Sequence, residues 1–354
     1  MPPRIDAPLR EESSRFLMFR WLHALRFWLD CARWQAFGQS LLPAVLALVL
    51  VWGEDGFSLS AGILAVLGVL LVHTSTNLLD DYFDYRCESV QVRQAMVDGG
   101  MRARSHKCHY ILSGATTLGR LLAAALVFGG LAVVIGLYLV WLRGVGIAAI
   151  AAAGAFCCYF YSAPPIRLSF HYLGEAAVGV VFGPILMSGV SLAACGRVSA
   201  PVLFFSIPIG ILVTNIVYTH AILDFEPDRR AGKNTLAVFF GSPKRAFWLM
   251  FAMVIAAYVI PAAAVAGGRL SPKMLLMLLT LPMACGLIRS VRRFVRAPNE
   301  TVRRRFWMGP MEYWPQICQA GIDWYMVRWY LSRNLLTLYC VLIAAAAIWD
   351  RAAR

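Results

Sequence analysis

Residues 56–84 read GFSLSAGILAVLGVLLVHTSTNLLDDYFD; the first 24 positions carry no Asp, Glu, Lys or Arg before aspartates arrive at 80, 81 and 84. An uncharged run of that length crosses a bilayer as a helix, which needs roughly 17–25 residues. Carboxylates held at its end are costly at a membrane boundary and mark function by default. The same pattern recurs along the chain. Runs 34–53, 121–142, 144–166, 176–196, 198–223 and 246–268 each give 20 to 26 uncharged positions, and 274–288 and 334–349 give 15 and 16. Flanking arginines can snorkel and let the two short runs serve as spans. The expectation is an all-α, polytopic membrane bundle of nine transmembrane helices around a central cavity.

Composition agrees. Of the 354 residues, 60% are hydrophobic and 15% charged, against about 25% charged in soluble domains. The 33 Lys+Arg against 19 Asp+Glu give a net charge of +14, which in so apolar a chain points to basic loops rather than to nucleic acid. With the N-terminus inside, segments 1–35, 80–120, 162–172, 224–246 and 289–334 carry 27 of the 33 basic residues. The positive-inside rule then places the N-terminus and the aspartate-bearing loops in the cytoplasm. The nine cysteines form no CxxC pair and no Cys/His metal spacing. The first 33 residues hold six arginines and no early apolar stretch of the signal-peptide type, so a cleaved leader is not expected.

The expected organisation is an interfacial segment 1–35, a bundle of eight spans over 36–290, a basic aromatic segment 291–333 and a ninth span with the C-terminus over 334–354. Residues 299–333 contain Arg303, Arg304 and Arg305 with four tryptophans. That composition suits a headgroup-level anchor, with a lid over the site as the other reading.

Two acidic clusters carry the chemistry. Asn77, Asp81 and Asp84 stand at i, i+4 and i+7 on one helical face, with Asp80 flanking. Asp224, Glu226 and Asp228 end the sixth span on the same side, and Pro227 is expected to open the helix into a loop there. Crowded carboxylates at an apolar boundary repel unless a cation sits between them, and hard oxygen ligands suit Mg²⁺. Arg229, Arg230 and Lys233 follow at once, giving the fixed positive charge a diphosphate requires. Salt bridging of these acids to loop arginines is the bland alternative.

These motifs resemble the UbiA superfamily of intramembrane prenyltransferases. The likeness is greatest to the branch acting on 1,4-dihydroxy-2-naphthoate in menaquinone biosynthesis. NLLDDYFD at 77–84 is similar to that branch's NLxNDYxD, and DRRAGKNTLAV at 228–238 to its DRRAGKxTLAV. YSAPPIRLSFHYLGEAAVGVVFGP at 161–184 and RWQAFGQSLLP at 33–43 also resemble branch segments. The resemblance implies Mg²⁺, an isoprenyl diphosphate donor and an aromatic acceptor, in a multi-pass enzyme of the bacterial plasma membrane. It implies Asp81, Asp84, Asp224, Asp228 and Asn77 as metal ligands. It also implies Lys233, Arg230, Arg229 and Arg33 as diphosphate contacts. Glu226 could complete the metal shell, and Asp80 could act as a charged ligand or pair with an arginine. Glu175 could orient the acceptor or pair with Arg167 or His171; Tyr161 could shield a carbocation or be an ordinary interfacial tyrosine.

The chain departs from the branch at four places: Asp80 replaces an asparagine, His220-Ala-Ile-Leu-Asp224 lacks the branch's Asn-Asn-x-Arg-Asp approach, the loop after Asp84 lacks its Lys-Gly-x-Asp continuation, and 299–333 has no clear counterpart. Other acceptors (hydroxybenzoate, homogentisate, a glycerol phosphate lipid) and cyclisation of the prenyl chain stay open. A membrane cation transporter is the reading from another class, and the Arg-Arg-x-x-Lys run argues against it, because a cation path gains nothing from adjacent fixed positive charge.

Overall fold

The computed structural model describes residues 23–87, 108–230, 232–298 and 302–353. Among these no strand occurs, and the long helices are α1 (Trp34–Val51), α2 (Leu59–Cys87), α3 (Leu118–Arg143), α4 (Val145–Phe160), α5 (Gly174–Cys195), α6 (Ala200–Leu223), α7 (Pro243–Ala266), α8 (Pro272–Arg296) and α9 (Asp323–Ala352). Eight of them are long and apolar enough to cross a membrane; α4, at 16 residues, is apolar but short. All nine expected segments are therefore helical, with the long and short members exchanged. Uncharged length overstates α4, because Tyr161–Pro165 is uncharged yet forms turns.

The same measure understates α8 and α9, because it stops at the first charge. Arg328 lies inside α9 with no exposed surface, its guanidinium donating to the Ser290 carbonyl at 3.2 Å and to that of Trp324. A buried arginine whose donors are satisfied by carbonyls need not end a span. The expected boundaries at 290/291 and 333/334 thus fall within continuous helices, α8 and α9. Within the expected interfacial segment 1–35, residues 23–31 form a helix. Phe27 and Trp28 pack on a cluster formed by Leu78, Leu121 and Ala125 of α2 and α3, rather than only on headgroups. Residues 1–22 lie outside the described residues.

Leu126, Val133, Val134, Leu137 and Trp141 of α3 are exposed, a continuous apolar surface that only lipid can cover. The bundle interior is held by close backbone approach. A Cβ on Gly183 would stand 2.7 Å from the Gly210 Cα, and one on Gly210 would meet the Gly179 carbonyl oxygen. Small residues at such a crossing replace the hydrophobic drive that lipid removes. The crossing joins α5 to α6, so Glu175 at one N-terminus and Asp224 at the other's C-terminus come to the same end of the molecule.

The opposite end is tied by its own ions. Arg197 meets Glu54 at 3.2 Å, Arg351 donates to the Leu50 carbonyl at 2.8 Å, and Arg143 donates to the Ala194 carbonyl at 2.7 Å. Four residues expected on one side of the membrane (Glu54, Arg143, Arg197 and Arg351) therefore share one end.

Candidate active site

The cavity-facing stripe of α2 runs Val69, Val72, His73, Thr76, Asn77 and Asp80, the spacing of a single helical face. With residues from α3, α4 and α5 it encloses about 530 Å³. Apolar side chains line the depth. Arg33, Asn77, Asp80, Tyr161 and Lys233 line its polar part, so one cavity joins the first aspartate motif to the basic run that follows the second.

Asp81 is turned away from that stripe. It is buried, receiving the Arg33 guanidinium at 2.7 Å and the Tyr110 hydroxyl at 2.7 Å. Arg33 also reaches Asp80 at 3.3 Å. Its backbone is left-handed (φ 58°), which folds the chain before α1 back over the end of α2. The Asn77 amide completes that contact by donating to the Ala32 carbonyl at 2.7 Å. Burial opposes the Arg33 charge, but Asp81 and Asp80 outweigh it and hold the guanidinium protonated above its ordinary range. Burial, then Asp81, also push the Tyr110 phenol up, so it remains a donor. The expected face of Asn77, Asp81 and Asp84 is therefore redrawn: Asn77 and Asp80 face the cavity, and Asp81 faces Arg33 and Tyr110. Asp84 is buried one turn beyond Asp80. Asp80 accepts from Ser162 as well, which pins the loop after α4 to the motif.

At the second motif Asp224 closes α6, and a short helix Phe225–Arg230 follows. Pro227 thus stands inside a new helix, where the expectation was a loop. It is tolerated because a first-turn N–H has no intrahelical partner to lose. Asp224 and Asp228 are buried. The Tyr325 hydroxyl of α9 lies 3.5 Å from Asp224, and Lys233 Nζ 3.5 Å from Asp228. Glu226 and Arg229 instead pair with each other at 2.9 Å on the exposed face, and Arg230 is exposed beside them. These three do not line the cavity.

Glu175 pairs with the backbone of a neighbouring loop rather than with Arg167 or His171. Both its carboxylate oxygens accept from the Leu236 backbone N–H at 3.2 Å, fixing the loop that carries Lys233. Tyr172 N–H donates to the Asn234 carbonyl at 2.8 Å in the same loop.

Of the described residues 302–333, some pack on the second motif's helix: Tyr325 stacks on His220, ring centroids 5.2 Å apart, and Trp329 stacks on it at 6.4 Å. The sequence reading missed Tyr110, Ser162, Tyr325 and His73. Only His73, one turn before Asn77 inside an uncharged run, carried a local signal.

Among the described residues no three His, Cys, Asp or Glu side chains converge tightly enough to cage a metal. That donor set still fits Mg²⁺, which uses one or two carboxylates and completes its shell with phosphate oxygens and water. The buried aspartates of the two motifs are such donors.

Residues 40–314 match the model of the UbiA prenyltransferase family. The chain belongs to that family. It is 26% identical over 262 residues to 1,4-dihydroxy-2-naphthoate octaprenyltransferase of Bacillus subtilis, covering 73% of this chain and 78% of that one. It is 25% identical over 317 residues to UbiA prenyltransferase domain-containing protein 1 of Xenopus tropicalis, covering 87% and 85%. Among solved structures, a UbiA homolog from Archaeoglobus fulgidus bound to GPP and Mg²⁺ superposes with TM-score 0.53 at 14% identity, covering 89% of this chain and 99% of that one. A digeranylgeranylglyceryl phosphate synthase superposes with TM-score 0.58 at 13% identity, covering 92% and 97%. The fold is that of the family, and the protein is a multi-pass membrane prenyltransferase.

Proposed function

We propose that this UbiA-family enzyme transfers the prenyl group of an isoprenyl diphosphate to a hydroxylated aromatic acceptor of the 1,4-dihydroxy-2-naphthoate kind, in the biosynthesis of an isoprenoid quinone. One observation carries the reading: Arg33, Asn77, Asp80 and Lys233 share the polar part of a cavity whose depth is apolar. A diphosphate fits the polar part and a prenyl chain the rest. The Bacillus subtilis relative, whose name specifies that acceptor, supports the choice.

Lys233 and Arg33, on the wall of the same cavity, supply positive charge where a diphosphate departs, and such preorganised charge stabilises the leaving group. Bound Mg²⁺, held by Asp84, Asp224 and Asp228 with Asn77 or Asp80, would offset the rest of the diphosphate charge. The C–O bond to the diphosphate breaks, and the electron pair of an aromatic carbon forms the new C–C bond. Apolar walls keep water from the allylic carbon, and Tyr161 presents a ring that can face developing positive charge. Loss of a proton or carboxylate restores aromaticity. Arg229, Arg230 and Glu226, facing outward, take no part in this geometry. The polar end faces the cytoplasm of a bacterial cell, by the loop charge.

The test uses the protein in nanodiscs with labelled isoprenyl diphosphates of several lengths. The acceptors are dihydroxynaphthoate, hydroxybenzoate, homogentisate and a glycerol phosphate lipid, with Mg²⁺ or excess chelator. Mg²⁺-dependent transfer to the naphthoate is expected. Transfer only to another acceptor, or cyclisation of the donor alone, overturns the acceptor assignment. Turnover undiminished by chelator overturns the metal assignment.

A further inference from the structure

His73 stands on the cavity-facing stripe of α2, four residues before Asn77, hence about 6 Å deeper into the bundle. Its ring contacts Phe37 and Phe182, with centroids 5.0 Å and 5.3 Å away. Nδ1 is 2.8 Å from the Ser40 hydroxyl. Ser40 is fully buried, and its hydroxyl also lies 3.1 Å from the Phe37 carbonyl. Nδ1 is engaged by Ser40 whichever of the two carries the hydrogen. Nε2 is the ring nitrogen left for the cavity that His73 lines. Among the described residues nothing donates to Nε2.

A phenolic hydroxyl both donates and accepts, so it can pair with Nε2 in either tautomer. A prenyl chain has no polar group to offer, and Asn77 and Asp80, at the diphosphate level, lie a turn or more above on the same stripe. We propose that His73 Nε2 hydrogen-bonds and orients a hydroxyl of the aromatic substrate, one helical turn below the diphosphate level. The inference rests on the function proposed above, and it assigns the acceptor subsite to the α1–α2–α5 wall. Phe182, itself on the cavity wall, gives the flat ring an apolar surface to lie against. The Ser40 and Phe37 contacts make His73 a positioned group, since they hold the ring before substrate arrives.

The experiment compares His73→Leu, His73→Gln and Ser40→Ala with the parent protein in nanodiscs. The donor is whichever isoprenyl diphosphate gave turnover, and the probes are 1,4-dihydroxy-2-naphthoate and its dimethyl ether. Thermal unfolding reports folding. His73→Leu is expected to lower kcat/KM for the dihydroxy probe by about 10- to 100-fold, the usual range for removing one partner of a buried substrate hydrogen bond. KM for the diphosphate should stay within about twofold, and the ether should be used equally by both proteins. His73→Gln, whose amide oxygen can replace Nε2, should recover part of the loss. Ser40→Ala should weaken the dihydroxy probe alone, and it keeps the test available if His73→Leu does not fold. Equal losses for donor and acceptor, an equal loss with the ether, or unchanged use of the dihydroxy probe overturns the assignment. A parent protein inactive with every hydroxylated acceptor overturns the proposed function itself, and a merely misplaced His73 leaves that parent activity intact.

Discussion

Asp80 and Asp81 are neighbours in the chain but look in different directions, because one step along a helix turns a side chain by about 100°. Asp80 shares the cavity with Asn77, whereas Asp81 holds Arg33 and Tyr110. The two should respond differently to neutralisation. Asp80→Asn keeps an oxygen for Ser162 and leaves Arg33 its shorter partner, so transfer should stay within about threefold of the parent. Asp81→Asn strips a buried partner from Arg33, which is itself partly exposed; with that exposure discounted, about 1–3 kcal/mol of stability should go. Transfer should fall to background as Arg33 swings free of the motif. Nanodisc activity and thermal unfolding of both variants check this, and equal responses would sink the distinction. The basic run divides in the same manner. Lys233 lies beside Asp228 on the cavity wall, while Arg229 and Arg230 are exposed. Lys233→Ala should lower kcat/KM by about 100-fold or more, the scale of losing one preorganised charge on a leaving group. Arg229→Ala and Arg230→Ala should change it less than about threefold, and steady-state kinetics with varied diphosphate reads the difference.

The element that most changes the sequence reading is α9. It begins at Asp323, runs unbroken to Ala352, and brings the Tyr325 hydroxyl to Asp224 and Trp329 to His220. A segment that served only as an anchor would turn its aromatics to headgroups. Here Tyr325 and the buried Arg328 turn inward. Tyr325→Phe keeps the ring packed on His220 and removes only the donor. It should lower kcat by about tenfold while moving the unfolding midpoint little, since only a hydrogen bond to a charged group is lost. Full kcat in a folded Tyr325→Phe protein would return α9 to a scaffold role. The crossing of α5 and α6 supplies the complementary support: glycines at 179, 183 and 210 let two backbones approach, and that approach carries Glu175 to the loop of Lys233.

Over the whole molecule, ions sort to two ends. Glu54, Arg143, Arg197 and Arg351 gather at one, and both aspartate motifs lie at the other. A bundle arranged in this way should report two labelling populations. Single cysteines at 84, 233 and 296 should react with an impermeant reagent from the cytoplasmic side only, and those at 54, 197 and 269 from the opposite side only. Any exchange between the two sets would overturn the orientation proposed from 27 of 33 basic residues.

The amino-acid sequence alone determined that this is a helical membrane protein, where its spans lie to within about three turns, and that two aspartate motifs meet at one end. Those features are local, since apolar length and clustered charge are properties of contiguous residues. Tertiary structure decided which members of each motif face the cavity. It turned Asp81 to Arg33 and Tyr110, sent Glu226, Arg229 and Arg230 outward, and gave Glu175 to the Leu236 N–H. It also added Tyr325, 101 residues beyond Asp224, and set the His73 ring through Ser40. No periodicity reports such pairings, because they depend on the rotation of each helix about its axis. That rotation is fixed by packing at positions such as Gly183 and Gly210, far from the residues it aims.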